Sequence, residues 1–241
     1  MRVEHLAIDG SVVAIEADAD VSSGATAAGW AIVPSLMRAH PFTISPAGHS
    51  ARVERHVRAQ FGNTIRISQT QEFSLKNGKL RVAQVDMPTP AGGTRSLVVG
   101  GWEGSTGCLS TSLARASVAQ LVEAFDTLAF SESRQGVFID SPVVTQPRPP
   151  ELIKEIPRLG VLSIRPAIAA ELERVPKARG FLIQNGELFR HHAASSSLLF
   201  VSKTSVVAFQ PQGDPDGADF LPVARSLRVE WTPRQRDMRV F

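Results

Sequence analysis

Gly48-His49-Ser50-Ala51-Arg52 follows a strand-like run over residues 41–45 and precedes a helical pattern. That is the setting of a nucleophile elbow, where a strand-to-helix turn lifts a serine hydroxyl toward an acyl substrate. The fifth position of such a turn needs a residue without bulk, and here it is Arg52. Ser50 reads more simply as an N-cap whose hydroxyl accepts from a free N–H of the first helical turn. Cys108 closes the most glycine-rich stretch, Gly100-Gly101-Trp102-Glu103-Gly104-Ser105-Thr106-Gly107. A phosphate-binding loop requires a lysine after its last glycine, and none stands there. Arg115 lies too far along the chain to complete a cysteine-phosphatase cradle. The glycines therefore read as a hairpin connection with Trp102 packed beside it, and Cys108 as a small interior hydrophobe. If the chain is a hydrolase, Ser50 or Cys108 is its nucleophile.

Metal chemistry finds less support. His40, His49 and His56 match no common ligand spacing, and His191-His192, adjacent on a strand, point to opposite faces. Asp214-Pro215-Asp216-Gly217-Ala218-Asp219 has the look of a calcium loop, but its glycine comes early and no closing glutamate follows. A turn and an N-cap account for it. The sequence yields no metal site and no cofactor motif.

The chain has 241 residues, 43% of them apolar, which suffices for a real core and fits two domains of ordinary size. No run approaches the roughly 20 apolar residues of a membrane span. Met1-Arg2-Val3-Glu4-His5 lacks the apolar stretch of a signal peptide, and a single cysteine forms no intrachain disulfide. The expected location is the cytoplasm. The net charge is only +3, although the isoelectric point is near 9.5 because arginine outnumbers lysine. Basic residues cluster mildly at Arg52, Arg55 and Arg58 and at Arg234, Arg236 and Arg239. Those clusters keep nucleic-acid binding open as a secondary reading.

The elements that must position these residues follow from apolar periodicity. Residues 3–7 and 12–16 form a hairpin through Asp9-Gly10. Residues 18–29, small and polar, form a loop. Val53, Val57 and Phe61 mark an amphipathic helix from Ser50 to the Gly62-Asn63 stop. Strands follow over 64–68, 72–75, 80–85 and 97–99, then a helix over 116–125. Residues 142–157, with Pro147, Pro149 and Pro150, read as a stiff spacer. Beyond it come a strand at 160–164, a helix at 167–174, strands at 181–183, 188–191, 198–202 and 206–209, and a helix at 217–224. Asn77-Gly78-Lys79-Leu80 in one half is matched by Asn185-Gly186-Glu187-Leu188 in the other, with the same order of elements after each. This points to a diverged internal duplication.

Thr127-Leu128-Ala129-Phe130 closes the first half and Ser226-Leu227-Arg228-Val229 the second. Each resembles the tail of the Mog1/PsbP-like α/β sandwich family, in which a helix leads into a strand of the SLRF type. The resemblance covers the later part of each half. It implies a binding scaffold, as in adaptors, assembly factors and secretion chaperones, and carries over no catalytic residue.

The expected fold is therefore α+β: two related antiparallel-sheet/helix sandwich units from an internal duplication, spanning residues 1–134 and 158–241, with a Pro-rich connection over 135–157. The expected function is a non-catalytic protein-binding module, an adaptor or chaperone within a larger assembly, its partner another protein. Trp102 and Trp231 are the candidate anchors, with Arg52, Arg55 and Arg58 beside them, because Trp and Arg dominate interface hot spots. Core packing is the competing role for both indoles.

Overall fold

Alternating apolar and polar residues dominate the chain, and nearly all of that alternation becomes strand. The computed structural model describes residues 1–48, 65–75, 78–89, 93–144, 148–190, 198–212 and 220–235; of these, 57% are in strands and 12% are helical. The molecule is mostly β. The expectation of α+β sandwiches is corrected accordingly, because the described helices are too short to cover sheets. Numbered along the chain, α1 is Val118–Thr127, α2 is Ala169–Leu172 and α3 is Phe220–Ser226. The predicted helix at 167–174 shrinks to one turn after Pro166, which ends the preceding strand. The helix expected from Ser50 lies outside the described residues, as do Ser50, Arg52, Arg55 and Arg58.

Contacts divide the chain into two units, one of Met1–Ala27 with Pro149–Phe241 and one of Ala28–Arg148. The N-terminal hairpin thus belongs with the C-terminal half. The span expected to be a spacer is built into sheets instead: it holds β10 (Gly136–Ile139), β11 (Val143–Val144) and β12 (Glu151–Ile156).

In the middle unit the strands are β3 (Thr26–Val33), β4 (Arg38–Pro46), β5 (Arg66–Leu75), β6 (Gly78–Pro88), β7 (Thr94–Glu103) and β8 (Gly107–Ala114), ordered β3-β4-β8-β7-β6-β5. β11 pairs with β3, and β9 (Phe130–Ser133) forms a separate hairpin with β10. Helix α1 starts at a capping box between Ser117 and Gln120, and buries Leu121, Ala124 and Phe125. It lies on Gly100, where an added Cβ would stand 2.8 Å from Leu121 Cδ2. The glycine-rich stretch is thus mostly strand, thinned so that a helix can approach. The opposite face carries a second buried cluster of Ile65, Ala83, Val85, Leu97 and Val99.

In the other unit, β1 (Arg2–Leu6), β2 (Val12–Glu16) and β18 (Arg228–Thr232) form one sheet in the order β1-β2-β18. A second sheet runs β14-β15-β16-β17-β13-β12, with β13 at Gly160–Pro166, β14 at Phe181–Ile183, β15 at Gly186–Arg190, β16 at Leu198–Ser202 and β17 at Ser205–Gln210. Phe220 of α3 packs edge-to-face on Phe209, 6.1 Å between ring centres. Gly78 and Gly186, the glycines of the two Asn-Gly pairs, each open a strand that pairs back on the one before it, Leu75 facing Gly78 and Ile183 facing Gly186. Each glycine is required by the next strand: an added Cβ would stand 2.5 Å from Glu103 O at Gly78 and 2.1 Å from Val201 O at Gly186. A helix, a buried leucine (Leu128, Leu227) and a strand recur in both units, but among the described residues β9 pairs only with β10, whereas β18 pairs with β2. The units are not two copies of one sandwich.

Candidate functional site

Alternation on β7 turns Trp102 inward, where it is 1% exposed and packs edge-on against Phe130, 4.8 Å between ring centres. Trp231 is 3% exposed on β18. Both indoles are core side chains, which corrects their expected role as interface anchors. Cys108 is buried as well, and burial, reinforced by the nearby Glu103 carboxylate, pushes its thiol up to about 12. A thiol so protonated is no nucleophile at neutral pH. Among the described residues no group of His, Cys, Asp or Glu is placed to hold a metal ion.

The most unusual interior residue is one the sequence reading passed over. On β12, Leu152, Lys154 and Ile156 share the inward face, and Lys154 is only 1% exposed. Its Nζ donates to the Ser23 carbonyl oxygen. Desolvation lowers its pKa, while Asp20 favours the charged form. Asp20 itself is held below the ordinary carboxylate range by the Ser22 hydroxyl, 2.6 Å away, and the Ser22 N–H. His5 Nε2 is buried nearby without a partner, and burial, with the Lys154 charge, lowers its pKa to about 4. Lysine at a strand position flanked by Leu152 and Ile156 was the available signal. Lys154 thus ties the Ser23 backbone to β12.

A second ionic group holds the approach to β14. Arg165 on β13 reaches Glu151 at 3.0 Å and Glu171 at 3.2 Å, and Arg174 reaches Glu171 at 3.1 Å. Burial opposes the Arg165 charge, but the two carboxylates keep it protonated. Glu171 is 3% exposed, so α2 is pinned to the sheet by a desolvated carboxylate with two guanidinium partners. Val175 then packs against Phe189, Leu199 and Val206. The chain enters β14 from this fixed base, and Gly180 N–H donates to Glu187 at 3.2 Å.

The sheet edges differ in how they are protected. β1 carries Arg2 and Glu4, paired at 3.4 Å. On β18 the free side is closed by hydroxyls: Ser205 Oγ and Ser202 Oγ donate to the Val229 oxygen, and Trp231 N–H donates to Thr204 Oγ1 at 3.0 Å. Beside them lies an open polar groove of about 240 Å³ lined in part by Asn185, Lys203, Glu230 and Thr232. β5 has a bulge between Ile67 and Gln69, and its Glu72 is held by Lys79 at 3.0 Å and Arg81 at 3.1 Å. Charges and bulges of this kind keep strands from pairing outward. β14 has neither. Phe181 is 54% and Leu182 58% exposed, on opposite faces of the terminal strand. Arg225 of α3 stacks over the Phe181 ring at 5.6 Å, and Leu221, one helical turn earlier, is also exposed.

No protein-family model, curated protein or solved structure matches the chain. No described helix is long and apolar enough to cross a membrane.

Proposed function

We propose that the protein is a non-catalytic protein-binding module that takes an extended segment of a partner onto the β14 edge. The observation that carries this reading is an apolar edge at β14 with none of the devices that guard β1, β5 and β18. Strand addition supplies backbone hydrogen bonds, and alternate side chains of the added strand meet the exposed residues on either face. Covering Phe181 and Leu182 would contribute on the order of 2 kcal/mol each. The rigid base built by Arg165, Glu171 and Val175 favours recognition without reordering of the edge. An adaptor or assembly factor is the role that fits such a surface. The reading rests on this edge and not on the resemblance of the helix-to-strand tails.

A photo-crosslinking amino acid placed at Leu182, with Met37 of the middle unit (91% exposed) as the control position, tests the proposal in native lysate. The expected result is a stoichiometric protein adduct from position 182 that is absent from position 37. Equal capture at both positions, or none at 182, contradicts it.

A further inference from the structure

Resting on the reading that β14 receives a partner strand, we infer that the partner segment is acidic as well as apolar. Three cations surround this edge. Lys177 and Arg179 are exposed in the turn that leads into β14, and neither has an ion-pair partner among the described residues. Arg225 lies over Phe181, and among the described residues it has no ion-pair partner beside that ring face. The one acid in the immediate register is Glu187, opposite Leu182, and its carboxylate already accepts from Gly180 N–H. Arg174, further back, is committed to Glu171. The edge therefore presents apolar side chains with three cations that form no ion pair among the described residues.

That arrangement selects by charge. An added strand bearing Asp or Glu at its ends would pair with Lys177 and Arg179 at one end of β14 and with Arg225 above it. A basic strand would meet like charges at the same places, and the repulsion acts at the encounter as well as in the complex. Apolar residues between the acids would cover Phe181 and Leu182, one on each face. The recognised class is an extended acidic–apolar peptide segment.

Selection from a displayed library of random dodecapeptides against the full chain tests this, with two variants as counter-targets. Phe181→Ser with Leu182→Ser removes the apolar contacts without adding charge. Lys177→Gln, Arg179→Gln and Arg225→Gln together neutralise the rim. All five positions are at the surface, and circular dichroism with a thermal melt confirms that both variants fold. The expected result is a wild-type pool in which acidic residues outnumber basic ones, with binding lost on the serine variant. Selected peptides should bind the neutralised variant about fivefold or more weakly. Peptides that need Phe181 and Leu182 but show no acidic excess, or a basic one, overturn the inference while leaving the edge reading standing. Acidic peptides indifferent to the serine variant would overturn both, since general electrostatics would then explain them. A library with no edge-dependent binder does the same.

Discussion

At the scale of single residues, the interior sets what chemistry is possible. Cys108 keeps its proton because its thiolate would be desolvated beside Glu103. Native protein at pH 8 is expected to leave a thiol-reactive disulfide reagent unconsumed for hours, with one equivalent consumed on unfolding. Rapid native reaction would show the thiol to be accessible. His5 gives a pH effect of defined sign. Its folded pKa of about 4 lies below the ordinary 6.5, so the unfolded chain binds more protons between those values. The neutral imidazole's contribution is complete above pH 6.5 and is lost as pH falls toward 4. Urea melts at pH 7.5 and 4.5 should show wild type losing about 1–2 kcal/mol more than His5→Leu, a figure reduced for partial solvent screening. Equal losses in the two proteins would remove His5 from the account. Lys154 eluded the sequence reading for a physical reason: lysine is ordinarily a surface residue, and its burial depends on a carbonyl from a loop over a hundred positions earlier.

At the scale of elements, local pattern was legible where neighbours in sequence are also neighbours in space. The opening hairpin, with Arg2 facing Glu16 and Leu6 facing Val12, lies where Asp9-Gly10 and the alternation placed it. The helix expected at 116–125 is α1, and 80–85 and 97–99 lie within β6 and β7, but the separate strands expected at 64–68 and 72–75 are corrected to one strand, β5. The Pro-rich span was not legible, because Lys154 puts a charge where the alternation of Leu152 and Ile156 calls for an apolar residue, and the strand shows only once β13 pairs with it. The glycine-rich stretch also misled, since glycine for close packing and glycine for a turn are the same letter. Gly100→Ala separates the two: its methyl would press on Leu121 and on Phe125 Cε2 at 3.0 Å. The expected cost is about 1–3 kcal/mol in a urea melt, as for overpacking of a filled core. A neutral or stabilising substitution would mean that α1 does not rest on β7 as described. Of the candidate site, the strand at 181–183 was legible, but Lys177 and Arg179 before it form no cluster that stands out in the sequence. It did not show that β14 ends a sheet, because edge position depends on which strands pair.

At the scale of the whole molecule, what matters most is how the sheets end. A mostly β chain must protect its edges or use them: β1 carries paired charges, β5 a bulge and ion pairs, and β18 side-chain hydroxyls, whereas β14 ends in bare apolar residues. The last is the one suited to binding, and the ionic group behind it keeps the strand in place whether or not a partner is present. Amide hydrogen exchange over residues 181–183, in the full chain alone and with the protein captured at position 182, is the most direct measurement. Amides along β14 alternate between β15 and the free side, and those that point to the free side are predicted to exchange within seconds alone and to slow by at least about tenfold in the complex as they gain partners. A partner that binds while exchange at 181–183 stays unchanged would contradict strand addition at β14.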